Sequence, residues 1–360
     1  MGGIFSLIFS VAVYLFVTTI GVGLVVPFVG IVVRFRVNYN PKGFSLGAST
    51  GGSSTSRFGD AIGLSPDGTE EARVVGPRIT SLFGMLLRVR RLEGWRGLWK
   101  GFMPLYIYTG VNTVFSLMYL GARMSSAPKG SYSIPKASLF QSLVWAIFTS
   151  ITAIPFSIIA NRAITTPHNL PTFSPRASIR LLLTSYERRR PWVLYLTPGL
   201  VAGQMIHVFF IALISRLVRL LLVPSLADGL DGAEESGTIS SISTVRLSIF
   251  ILFQALAGTA LLSPLEVMTE RLAIQRNYTP GAEFEEEDAE LAAAQANGTT
   301  DGVAYAAPDE DVLNLRSNSG EEPYKGLRHC LTRIMEEEGV TTLFRAWWLT
   351  MLGAVLSGLA

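Results

Sequence analysis

Six stretches of apolar residues recur along the chain, with polar or amphipathic stretches between them. They fall at 4–33, 102–121, 139–159, 198–218, 247–265 and 346–360, the last being the shortest. A helix needs about 20 consecutive apolar residues to cross a bilayer core, so the pattern predicts six membrane helices. Stretch 4–33 carries no charge and has neither a basic leader nor a small-residue cleavage site. It is therefore expected to be a span rather than a removable signal. After the first stretch, Ile79, Leu82, Phe83, Leu86 and Leu87 recur at helical spacing and run into Arg88, Arg90 and Arg91. Stripes of the same kind lie at 179–186 and at 324–337, the latter with Leu327, Cys330, Leu331 and Ile334 on one face. These predict short helices lying along a membrane surface. Residues 37–76 are rich in Gly, Ser and Thr, and 277–323 holds six acids between Glu283 and Glu290. Neither can bury a core, and both are expected to be solvated loops.

Composition narrows the class. With 49% hydrophobic and 16% charged residues and a mean hydropathy of +0.38, the chain is not an ordinary soluble domain. Its one cysteine, Cys330, excludes an internal disulfide framework and is expected to be an unreactive, half-buried thiol. His168, His207 and His329 have no metal-ligand spacing. The net charge of +3 and the lack of basic runs alternating with aromatics argue against nucleic acid as a partner. No nucleophile–base constellation is present, so neither an enzyme nor a cofactor is expected. Of the 30 Lys and Arg, 24 lie in or beside the connections after the first, third and fifth stretches, which assigns those connections to the positive side of the membrane.

Three prolines lie in or near the ends of the odd stretches, Pro27, Pro155 and Pro264, and each is followed seven residues later by an arginine: Arg34, Arg162 and Arg271. A proline inside a helix frees a backbone carbonyl, and an arginine at that depth needs a partner. Only the third proline has an acid two residues on, Glu266; Val29 and Ser157 hold the other two places, and Val32, Ala160 and Thr269 stand at plus five. The second stretch is introduced by Glu93-Gly94-Trp95-Arg96-Gly97-Leu98-Trp99-Lys100-Gly101. Glu338-Gly339, followed by Leu343, Arg345 and Ala346, echoes it before the sixth. Before the fourth, Arg188–Arg190 occupies the place without Glu-Gly. The chain thus divides into units of about 100 residues at 1–125, 133–222 and 242–360, with 37–76 and 277–323 as insertions.

Pro-x-acid-x-x-base-x-base followed by Glu-Gly and an aromatic–basic–Gly step resembles the mitochondrial carrier (solute carrier) family, of which this is identified as a divergent member. The resemblance covers nearly the whole chain apart from the insertions and is weakest in the middle unit. It implies an all-α membrane protein with six transmembrane helices in three pseudo-repeats, arranged as a ring with the prolines at one end. The positively charged side would then be the mitochondrial matrix. It also implies gate or signature roles for Pro27, Arg34, Pro155, Arg162, Pro264, Glu266 and Arg271. Structural signature roles go to Glu93, Gly94, Gly97, Lys100, Gly101, Glu338, Gly339 and Arg345. With one acid left for three arginines, Glu266 is expected to approach Arg34, Arg162 or Arg271. At the other end Tyr119 and Arg123 keep the aromatic and the base of the second gate, with Leu120 in the acid's place. The substrate positions carried over are Tyr108, Asn112, Gln204, Val208 and Gly353, none of them charged.

Two functional readings follow. One is a transporter of a neutral or zwitterionic metabolite working by alternating access, since a cavity for an anion would require a fixed cation. The other is a carrier-shaped scaffold of the outer mitochondrial membrane, serving membrane fusion, dynamics or lipid organisation. Expected partners are membrane lipids, with cardiolipin at the surface helices, a small solute for a transporter, and proteins reached through 37–76 and 277–323. The location is a mitochondrial membrane, the inner one for a transporter.

Overall fold

The computed structural model describes residues 2–42, 74–75, 79–125, 138–170, 175–224, 243–278, 310–316 and 322–359. The central parts of the two expected loops, 43–73 and 279–309, lie outside the described residues. Helix α1 is Gly2–Val37, followed by β1 (Val74–Val75), α2 (Leu82–Leu92), α3 (Gly94–Leu98) and α4 (Phe102–Ser125). Then come α5 (Leu139–Thr165), α6 (Pro175–Leu182), α7 (Ser185–Arg189) and a 3-10 turn at Pro191–Leu196. Helix α8 covers Leu200–Leu222 and α9 Thr244–Ile274, each with a π-helical turn, at Phe210–Ser215 and Gln254–Gly258. The described chain ends with β2 (Glu310–Asp311), α10 (Leu327–Glu337), a 3-10 turn at Val340–Phe344 and α11 (Trp347–Leu359).

Among the described residues, four helical stretches are long and apolar enough to cross a membrane: Val11–Val37, Leu139–Thr165, Leu200–Leu222 and Thr244–Ile274. Helix α11 is apolar but shorter, and α4, although 24 residues long, carries Thr109, Asn112, Thr113 and Ser116 along its middle. The outer surfaces leave Phe16, Phe28, Phe140 and Leu221 exposed, as suits helices surrounded by lipid rather than water. The main core joins α5, α8, α9, α10 and α11 through Ile154, Ile158, Phe210, Leu262, Leu272, Ile334 and Ala354.

The helices run beyond the ends of the apolar stretches. Helices α1, α5 and α9 each contain their proline and end ten residues after it, at Val37, Thr165 and Ile274. The apolar stretches stop near the arginines because hydropathy marks burial in lipid, whereas the helices continue on backbone hydrogen bonds and buried pairs. Pro27 leaves the carbonyl of Gly23 without its helical donor, and the indole of Trp99 supplies one at 3.1 Å. The stripe expected at 179–186 is two pieces, α6 and α7, because Thr184 caps α7 and breaks the run. Part of the expected loop 277–323 is packed: Val312, Leu313 and Arg316 are buried, and β2 pairs in parallel with β1. Cys330 is wholly buried, and burial pushes its thiol up to about 12.

Candidate functional site

Three buried ion pairs occupy the arginine-rich end of the bundle. Arg34 at the end of α1 meets Glu93 at 2.6 Å and also donates to the carbonyl of Gly97 at 3.0 Å. Arg162 at the end of α5 grips Glu187 with two bonds, at 2.6 and 2.8 Å. Arg271 at the end of α9 does the same with Glu338. All six side chains are 4% exposed or less. An arginine near a helix C-terminus is favoured by the helix dipole, but buried there it needs a carboxylate to offset its desolvation. The expectation that one glutamate serves three arginines is therefore corrected: each arginine has its own. The middle acid, Glu187, sits just before Arg188 and completes the Glu-Gly place that the sequence left blank. A legible signal existed, since Thr184-x-x-Glu187 has the form of a capping box, and the structure forms it. Burial would raise the Glu187 carboxyl, but Arg162 and the N–H groups of Asn277 and Thr184 outweigh it and hold it below the usual range.

Basic groups also link the ends of α1, α5 and α9 to neighbouring elements. Lys100, paired with Glu93 at 2.5 Å, donates to the carbonyl of Thr166 at 2.9 Å. Arg162 donates to Ala273 at 3.3 Å and Gln275 at 2.6 Å. Arg271 donates to Arg36 at 3.2 Å and Asn38 at 3.4 Å, and Arg345 also reaches the carbonyl of Asn38. Asn38, Thr166 and Gln275 all lie eleven residues after their prolines. The carbonyls taken are those that a helix end leaves without an internal donor, so each contact satisfies a group that burial would otherwise orphan.

The helices that follow start from residues with positive φ. These are Gly101 at 88°, Gly199 at 82° and Ala346 at 59°, a region where glycine is free of strain and alanine is not. A Cβ on Gly199 would lie 2.3 Å from Leu327 N, so glycine also lets α10 pack against the start of α8.

Deeper in the bundle, Arg36 meets Glu266 at 2.5 Å, Glu270 at 2.7 Å and Thr350 at 2.9 Å. Thr350 in turn donates to Glu266 at 2.6 Å. Glu266 therefore pairs with Arg36, and not with the arginines at plus seven, because those are already committed. Arg36 and Glu270 fall outside the motif spacing, so the pattern gave no reason to single them out. Residues from α1, α9 and α11 can gather in this way only inside the bundle. Glu266 keeps 25% side-chain exposure.

Tyr108 rests against Phe156 of α5, with ring centroids 5.8 Å apart. Asn112, Gln204 and Val208 are half-buried and Gly353 is exposed. Counting seven residues from Gly101, Gly199 and Ala346 gives Tyr108, Ile206 and Gly353, so Gln204 sits two residues before that register. At the far end Tyr119 stacks on Trp145 at 4.4 Å, and Arg123 lies 5.7 Å above the Tyr119 ring. A crevice of about 520 Å³ there is lined by Phe115, Met118, Tyr119, Phe140, Trp145 and Phe148. Its apolar walls suit lipid better than a polar solute. A cavity of about 20 Å³ beside Arg34 and Glu93 has room for no more than a water molecule. Among the described residues no three His, Cys, Asp or Glu gather as metal ligands would.

No curated protein and no solved structure matches this chain. Residues 243–360, from the start of α9 through α11, match the family model described as mitochondrial carrier protein. Over residues 243–360 of 360 the chain is therefore similar to mitochondrial carrier proteins, and its described residues include helices long and apolar enough to cross a membrane.

Proposed function

We propose that the chain is a divergent carrier of six membrane helices in three repeated units, moving a neutral or zwitterionic small metabolite by alternating access. The inner mitochondrial membrane is the proposed location, with anionic lipid headgroups, cardiolipin among them, at the surface helices α2 and α10. The threefold reading is supported by the recurrence of Arg34–Glu93, Arg162–Glu187 and Arg271–Glu338.

The observation that carries the substrate class is the junction of Arg36 with Glu266 and Glu270. One guanidinium meets two carboxylates, so with both ionised the junction is net negative and offers an anionic solute no spare cation. An ammonium group would complement Glu266, and Thr350, Tyr108, Asn112 and Gln204 could complete a polar site for a zwitterion. Burying an uncompensated anion beside two carboxylates would be prohibitive.

The test is uptake into liposomes holding the full-length protein, comparing small zwitterionic amino acids with malate, phosphate and ADP. Zwitterion uptake should dominate, and Glu266→Gln should reduce it at least tenfold. Uptake of the anions alone would overturn the substrate class. Absence of all uptake by folded protein would favour the scaffold.

A further inference from the structure

The stretch 310–316, just before α10, is not part of any long helix, yet it contacts all three units. Val312 and Leu313 are buried in a cluster with Ile31 and Phe35 of α1, Met85 and Val89 of α2, Leu98 of α3, and Ala346. Leu315 packs on a second cluster, formed by Val33 and Val37 of α1 and Ile164 of α5, against which Ile274 of α9 also packs. That second cluster is where the last turns of α1, α5 and α9 meet, and it is apolar. Opening this end of the bundle would have to pull those four side chains apart.

Polar contacts fasten the stretch on both sides. Asn314 exchanges three bonds with the end of α1: Tyr39 N donates to its carbonyl at 2.8 Å, its Nδ2 donates to Tyr39 O at 3.1 Å, and its N donates to Asn38 Oδ1 at 3.1 Å. Arg316 forks onto Glu337 at the end of α10, at 3.0 and 2.9 Å, and lies 4.7 Å above the Tyr324 ring. Seven residues thus tie the first unit to the third and cover the axial seam.

We propose that residues 310–316 form an intramolecular strap that holds the arginine-rich end of the bundle shut and must lift before that end can open. The strap rests on the carrier reading, because it regulates the opening that alternating access requires. Its apolar half seals the seam, and its polar half ties the ends of α1 and α10 together. A ligand or modification acting on it would control the protein from one side of the membrane.

The strap is tested by pulsed electron spin resonance on the full chain in lipid nanodiscs. Spin labels at Arg91→Cys and Arg328→Cys, both exposed, report the separation of α2 and α10. Native protein should give one narrow distance distribution. Val312→Asp, Leu313→Asp and Leu315→Asp together should add a longer population and speed uptake several-fold. Because that variant could also misfold, Arg316→Glu is made as well, and it should widen the distribution in part. Combining it with Glu337→Arg should restore the narrow one, which a folding defect would not do. Unchanged distances in both variants would overturn the strap whatever the uptake. Widened distances without uptake would support the strap while overturning the transport reading.

Discussion

Replacing Glu187 by Ala should destabilise the protein more than any other single carboxylate-to-alanine change on α7 or α10. Glu187 is completely buried and accepts two bonds from Arg162, two from Asn277 at 3.0 Å and one from Thr184 N at 3.2 Å. Removing it leaves Arg162, 4% exposed, with only backbone carbonyls as partners. Breaking a buried pair from one side costs about 3–5 kcal/mol. The chain contains its own reporter. Cys330 is the single thiol, is buried and has its thiol pushed up to about 12, so a thiol-reactive dye labels it only when the fold opens. Where opening and closing are fast, labelling follows the open population, and about 3 kcal/mol raises it by roughly two orders of magnitude. Arg162→Met with Glu187→Leu should be less destabilised than Glu187→Ala, because no unpaired charge stays buried. Acid should reveal the same pair. The folded Glu187 carboxyl lies below its ordinary value, so its contribution is complete above about pH 4.3 and fades as pH falls through the folded value. The denaturant-midpoint gap between wild type and Glu187→Gln should narrow accordingly. A Glu187→Ala effect below about 1 kcal/mol, or strict additivity in the double variant, would refute the buried-pair argument.

Other changes test other links. Gly199→Ala forces alanine into left-handed backbone, costing about 1–2 kcal/mol, and adds the clash with Leu327; Cys330 labelling should therefore rise at least tenfold. Gly110→Ala has open space around the new Cβ and should be neutral or stabilising by up to about 1 kcal/mol. Trp99→Phe should cost about 1 kcal/mol by withdrawing the donor to Gly23. In a Pro27→Ala background that cost should vanish, because the restored N–H serves the same carbonyl. Asn112→Ala with Gln204→Ala should abolish zwitterion uptake in liposomes while leaving the denaturant midpoint unchanged.

Hydropathy and spacing alone determined the long apolar helices, the amphipathic helices α2 and α10, and the need for a partner at each arginine seven residues after Pro27, Pro155 and Pro264. Those features are local: bilayer thickness sets the run length, a helix repeats every 3.6 residues, and a buried guanidinium demands a partner wherever it stands. Which partner it takes is not local. Arg34 finds Glu93, Arg162 finds Glu187 and Arg271 finds Glu338 across separations of 59, 25 and 67 residues, and Glu266 is left for Arg36. The middle acid lacked its glycine, so the motif did not flag it, although the chemistry required it. The strap was illegible for a related reason. Val312, Leu313 and Leu315 are three apolar residues beside an acidic stretch, with no period of their own. Only the meeting of α1, α5 and α9 makes the seam that Leu315 covers, and that seam exists in the tertiary structure because helix ends distant in sequence converge there.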